Sequence, residues 1–398
     1  MHVYLDYNAT TPVAPAVLDA MLPFFRENFG NAGSVHTPGQ RARAAVDDAR
    51  DAVAALIGAK PSEIVFTSGG TEADNLAIYG SVAASSKPRK HVIASAIDHH
   101  AVLHTCEDLA RNGVDVTFVP VRHGSEGRVG QGIVDPEDVH RALRPRTVLI
   151  TVMHANNELG TIQPIEEISR IAREAGVLFH CDAVQSAGKI PVDVSRLGVD
   201  LLSISAHKFC GPKGVGALYV RSGVSIVPRC RGGHAERDRR PGTENVPGIV
   251  GIGKAAELAR VKLTDDSGRI AALRDRLEGA LLEQVSNAFV NGDPTQRVPN
   301  TSNITFRAAG GEAMLIALDL QGIACSTGAA CSSGSTEPSH VLLAAGLSHD
   351  DARSSLRFSL GRATTASEID YAIATVPAVV EKIRALSPRS AAVSVPSR

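Results

Sequence analysis

None of the six cysteines (Cys106, Cys181, Cys210, Cys230, Cys325, Cys331) belongs to a C-x-x-C pair, so neither a disulfide framework nor a zinc ribbon is indicated. No apolar stretch approaches the ~20 residues that a membrane span needs. The opening "MHVYLDYNATTP" lacks the basic and apolar segments of a secretory signal, and a cytoplasmic protein is expected. The 41 Lys and Arg balance 42 Asp and Glu to a formal net charge of -1, which removes a global electrostatic case for binding nucleic acid or a membrane surface. No G-x-G-x-x-G or P-loop ending is present, which disfavours a dinucleotide or Walker-type nucleotide site.

What is present is a chain of 398 residues, 43% of them hydrophobic, enough for one large or two moderate domains. From about residue 40 to residue 220, strand-like runs ("EIVFTS", "HVIAS", "TVLITVMH", "VLFHCDA", "LLSIS", "GALYV") alternate with amphipathic helical ones. That alternation predicts an α/β fold whose mostly parallel sheet is covered by helices on both faces. Beyond "RPGTENVPG" the pattern changes to a long helical region over about 248–288, then "NITFRA", "GEAMLIALDLQG", "SLRFSLG" and a last helix near 366–385. This reads as a smaller α+β domain joined by the first residues. The boundaries expected are 15–255 for the large domain, 1–14 and 256–385 for the small one, and a frayed tail over 386–398.

In open α/β sheets, sites gather beyond the carboxyl ends of strands. "SGGTE", "DHH", "HANNELG", "DAVQ" and "SAHK" each follow an apolar run. "FTSGGTEADNL" offers a Gly-Gly turn with Thr71 at the expected helix N-cap, an arrangement suited to phosphate or simply to a capped turn. Asp182 in "HCDAVQ" ends a buried strand and needs a cation, either an arginine or the protonated ring nitrogen of a cofactor. Lys208 in "SAHKFCGPKG", near a low-dielectric strand end, suits Schiff-base chemistry, with Ser205 and His207 as phosphate donors. A phosphate cradle, a buried Asp and a strand-end Lys in that order meet the needs of pyridoxal phosphate.

From "YLDYNATTPV" through "FGNAGSVH", "HANNELGTIQPI", "DAVQSAGKIPVDV", "SAHKFCGPKGVGALYV" and "RRPGTENV" to "GAACSSGSTEPSHVL" and "SSLRFSLGRATT", the chain resembles the bacterial cysteine desulfurases of the class V aminotransferase family. The resemblance spans all but the tail. It implies a fold type I enzyme with a seven-stranded, mostly parallel sheet in its large domain, acting as a homodimer that loads sulfur from L-cysteine onto a cysteine and passes it to acceptor proteins, with no direct nucleic-acid or membrane partner. Lys208 would carry pyridoxal phosphate and Asp182 would pair with its ring nitrogen. Gln185 and Asn157 would meet the phenolic oxygen or the substrate. His99 would stack on the ring and act in proton transfer. Gly70, Thr71, Ser205 and His207 would hold the phosphate, with Thr243 reaching in from a second subunit. Arg357 would clamp the substrate carboxylate, and Cys331 would take the sulfur. No metal is implied. A selenocysteine lyase or aminotransferase on the same scaffold is the alternative.

The small residues around Cys331 ("TGAACSSGST") favour a mobile loop over a core thiol. Cys181 is expected to be a small buried hydrophobe, and Cys325 a strand-end structural residue rather than a resolving thiol. In "RGGHAER", His234 stands where such enzymes carry a third glycine and Ala235 where they carry His or Gln, so a disturbed backbone is expected there. His100 and His104, spaced i, i+4, are read as surface or capping residues rather than metal ligands.

Overall fold

In the computed structural model, residues 1–124, 129–327 and 337–386 are described. In chain order the strands are β1 (Val3–Tyr4), β2 (Ile64–Thr67), β3 (His91–Ser95), β4 (Asp115–Val119), β5 (Thr147–Met153), β6 (Leu178–Asp182), β7 (Leu201–Ser205), β8 (Gly216–Val220), β9 (Ala288–Asn291), β10 (Thr301–Phe306), β11 (Ile323–Ala324) and β12 (Ser355–Ser359). A seven-stranded sheet runs in the order β2-β8-β7-β6-β5-β3-β4. Only β8 opposes its neighbours; β7, β6, β5, β3 and β4 are mutually parallel. The expected fold class is therefore the observed one.

Strands β5 and β7 are buried at every position: β5 is apolar or β-branched throughout, β7 interrupts its apolar run only with the small Ser203 and Ser205, and helices cover both faces. One face packs against the helix Thr37–Ile57 and the first part of the helix Val246–Gln284; the other packs against the helices Gly70–Ala84 and His100–Arg111. Fully buried side chains such as Leu149 and Ile150 each contribute about 1.5–3 kcal/mol. A further cluster joins Val3 and Leu5 to Ile304, Phe306, Leu356, Phe358 and Val376, around the antiparallel sheet β12-β10-β9. The 39-residue helix Val246–Gln284 supplies Ile249 and Ile252 to the first core and Leu277 and Leu281 to this one.

Strand β4 (DVTFV) was not among the runs read from sequence. It is a half-exposed edge strand with polar residues alternating against Val116 and Phe118, so no continuous apolar run marks it. Among the described residues no helix is long and apolar enough to cross a membrane.

Candidate active site

Five parallel strands end along one edge of the sheet, or lead into turns there, and the expected site residues follow them. A cavity of about 380 Å³ opens at this edge, lined by Gly70, Thr71, His99, Asn157, Asp182, Gln185, Ser205, His207, Lys208 and Arg357. These are the cofactor- and substrate-binding residues expected from sequence, except Thr243, which is exposed and does not line the cavity. Cys331 lies outside the described residues.

The glycine turn after β2 differs from expectation in one respect. Thr71 is not the N-cap: the helix begins at Gly70, and Gly69 caps it at φ 155°, ψ -177°, with no side-chain cap bond. That conformation belongs essentially to glycine. It leaves the first backbone N–H groups of a 15-residue helix without a side-chain cap, beside the Thr71 hydroxyl. The turn reaches this position because Gly216 on β8 has no side chain: a Cβ there would lie 2.7 Å from the Gly69 carbonyl carbon and 2.6 Å from the Ile204 oxygen.

Asp98 ties β3 to β5, accepting from Ser95 N–H at 3.1 Å and Met153 N–H at 2.7 Å. His99 follows and caps the helix His100–Arg111, its Nδ1 accepting from Ala101 N–H at 3.1 Å. The proton of the neutral ring therefore sits on Nε2. Burial, reinforced by the Lys208 charge, holds the His99 pKa down at about 4, so the ring is neutral at pH 7. Beyond β5, Asn156 closes a turn by donating to Ile97 O and accepting from Glu158 and Leu159 N–H, which sets Asn157 on the cavity wall.

Asp182 ends β6 between Met153 and Ser203. Its Oδ1 accepts from Val184 N–H at 2.9 Å, and no arginine bridges it among the described residues. Burial raises its pKa to about 6, against the lowering effects of that hydrogen bond and of Lys208. A cationic ring nitrogen would relieve this cost. The amine of Lys208, one turn beyond β7, donates to Asn8 O at 2.6 Å and Ala9 O at 2.9 Å. His207 Nδ1 lies 3.1 Å from Thr10 Oγ1, and burial lowers its pKa to about 4. An uncapped helix start, a buried carboxylate short of a cation, a flat neutral imidazole and an amine around one cavity fit the phosphate, ring nitrogen, ring face and aldehyde of pyridoxal phosphate.

Arg357 on β12 is 2% exposed and lines the same cavity. Its guanidinium already donates to Asp6 Oδ1 at 2.7 Å and Asn157 O at 2.9 Å, while Nε has no partner. It is thus held rigid before any substrate arrives.

Sequence reasoning missed Asn8, Ala9, Asp74 and Lys189. Asn8 and Ala9 lie in "NATT", which wraps over Lys208, and only the polar character of that run hinted at a role. Asp74, one helical turn beyond Gly70, is almost fully buried against the cavity, and burial next to Asp182 raises its pKa well above the carboxylate range.

Cys181 is fully buried, and burial pushes the Cys325 thiol up to about 12, so both are un-ionised at neutral pH. His100 and His104 stack at 4.8 Å between ring centroids, and no group of three ligands suited to a metal occurs among the described residues. The disturbance expected at His234 falls elsewhere: His234 has an ordinary φ of -84°, and Glu236, Arg237 and Asp238 take the positive values of 49°, 56° and 64°.

This α/β architecture is that of the class V aminotransferase-type enzymes, and residues 3–372 match the aminotransferase class-V family, to which the chain belongs. Within that family it is similar to a cysteine desulfurase, IscS, of Dictyoglomus turgidum, 49% identical over 386 residues that cover 97% of this chain and 96% of the relative. Among solved structures it is similar to a NifS-like protein, with TM-score 0.89, 38% identity and coverage of 96% of this chain and 100% of the other. It is also similar to SspA in complex with cysteine, with TM-score 0.79, 38% identity and coverage of 90% and 98%.

Proposed function

We propose that this protein is a pyridoxal-phosphate-dependent cysteine desulfurase that converts L-cysteine to L-alanine and carries the sulfur as a persulfide on Cys331. The observation that carries the reading is the convergence of Lys208, Asp182 and His99, from three strand ends, on one cavity of about 380 Å³ in a chain 49% identical to a cysteine desulfurase. When bound, pyridoxal phosphate supplies an electron sink next to the substrate α-carbon.

Asp182 would hold the ring nitrogen, and Gln185 would meet the phenolic oxygen. The backbone N–H groups at Gly70 and Thr71, with Ser205 and His207, would hold the phosphate, joined by Thr243 of a second subunit in a homodimer. Arg357 receives the substrate carboxylate, sharing its guanidinium with Asp6. Lys208 is the amine that would hold the cofactor aldehyde and, once free, would serve as the base for the substrate α-proton. His99, neutral and with its proton on Nε2, would lie against the ring and is placed to move a proton near the substrate sulfur. The Cys331 thiolate forms an S–S bond as the substrate Cβ–S bond breaks; the electron pair of that bond stays with the three-carbon skeleton, which takes up protons and leaves as alanine. The persulfide then passes to sulfur-acceptor proteins in the cytoplasm.

The test is to load the purified protein with pyridoxal phosphate, record its visible spectrum, and measure alanine and sulfide on adding L-cysteine with a thiol reductant. Cys331→Ala should keep the visible band and lose sulfide release by more than about 100-fold, and Lys208→Ala should lose both. A folded wild type that stays colourless, or Cys331→Ala with undiminished sulfide, overturns the reading.

A further inference from the structure

Lys189 lies outside the cofactor cavity, in the wall of a second cavity of about 50 Å³ that shares Lys208 with the first. Partly buried along its length, it turns its amine inward, donating to Gln185 Oε1 at 2.6 Å and to Asn8 Oδ1 at 2.8 Å. Asn300 Nδ2 donates to the same Asn8 oxygen at 2.9 Å. A lysine amine in this setting offers hydrogens to two side-chain oxygens at once.

That restricts two amides whose ends are otherwise nearly equivalent in shape. A primary amide has an accepting end and a donating end, and a donor-only neighbour decides which end faces it. With Lys189 holding Gln185 Oε1, the NH₂ of Gln185 must face the other way. It donates to Asn8 O at 3.0 Å, the same carbonyl that receives the Lys208 amine at 2.6 Å. Asn8, turned likewise, donates to Asn157 O at 3.0 Å and Thr301 Oγ1 at 2.8 Å.

We infer that Lys189 is a positioning residue for the cofactor: by fixing the amide of Gln185 with its N–H end toward the cavity, it makes that residue a hydrogen-bond donor to the phenolic oxygen of pyridoxal phosphate. This rests on the proposed function, since it assumes that the cofactor binds with that oxygen beside Gln185. A donor there stabilises the ionised phenolic oxygen and so eases loss of the proton held between that oxygen and the Lys208 nitrogen. Burial and the nearby charges of Lys208 and Arg357 depress the Lys189 pKa, with Cys210 opposing them. Only the charged ammonium is donor-only, so the orientation is enforced while Lys189 is protonated, a form that its two acceptors, Gln185 Oε1 and Asn8 Oδ1, favour against the burial.

The experiment is a pH titration of the visible absorbance of the cofactor-loaded protein, without substrate. Lys189→Met, which removes the donor and leaves Gln185 free to turn, should raise the spectral midpoint by about one pH unit relative to wild type. Gln185→Leu should raise it comparably, and Lys189→Met added to Gln185→Leu should raise it no further. Should Lys189→Met not fold, Lys189→Gln serves: it both accepts and donates, so it no longer forces the orientation, and its midpoint should fall between those of wild type and Gln185→Leu. A variant midpoint equal to wild type, or an undiminished extra shift in the double variant, overturns the inference. A wild type with no visible band overturns the proposed function instead, which keeps the two failures distinct.

Discussion

Glu158 is 4% exposed, and its Oε2 accepts a 2.5 Å hydrogen bond from Ser339 Oγ. Burial raises its pKa to about 7, against the opposing effects of Ser339 and the Arg357 charge. Because the folded-state value lies above that of the unfolded chain, the folded state favours the protonated acid. The stabilisation is complete below about pH 4.5 and is lost as pH rises through 7. Glu158→Gln keeps an acceptor for Ser339 and removes the titration. It should therefore gain about 3 kcal/mol on wild type between pH 4.5 and pH 8, measured by denaturant unfolding at both ends. A constant difference between the two proteins across that range would contradict the assigned burial cost. At this scale the sequence was informative wherever a polar residue ends a strand or follows it within a turn, as Asp182, Ser205 and Lys208 do. It was silent on Lys189 and Asn8, because their hydrogen bond joins positions 181 residues apart and no local spacing records it.

The turn and helix at Gly69–Ala84 depend on a residue that touches no ligand. Gly216→Ala would drive a methyl group into backbone on two sides, the Ile204 oxygen and the Gly69 carbonyl carbon, neither of which can swing away like a side chain. We expect a stability loss of about 1–3 kcal/mol. We also expect cofactor affinity weakened at least about tenfold, read by titrating the apoprotein with pyridoxal phosphate, since a 1.4 kcal/mol displacement of the cradle suffices. Unchanged affinity would mean that the turn is not pinned by β8. Strands buried on both faces were legible as apolar runs, and helices by their amphipathic period. Strand β4 was not, because an edge strand needs only one apolar face, and the helix start was displaced by two residues because Thr71 looks like a cap while Gly69 supplies the unusual dihedrals.

Across the molecule, the segment "RGGHAER" is fastened by a buried ion pair. Arg50 meets Glu236 through two 2.8 Å hydrogen bonds, with side-chain exposures of 6% and 3%, and Glu236 also accepts from Phe66 N–H at 3.0 Å. This anchors a run of three left-handed residues that would otherwise cost about 1–2 kcal/mol each. Glu236→Ala strands a buried guanidinium and should cost about 3–5 kcal/mol in denaturant unfolding. Glu166→Ala, at the exposed Arg196 pair, should cost less than about 1 kcal/mol. Equal losses from the two would refute the distinction. The family, the sheet and most of the residues that line the cavity were legible in motifs, many of them at or just beyond a strand end. The Arg50–Glu236 anchor was not, because it depends on which distant backbone turns meet.

The helix Val246–Gln284 gives side chains to both hydrophobic clusters without a break. Warming that loosens either lobe must therefore fray the spine the other leans on, and a calorimeter should register one endotherm rather than two.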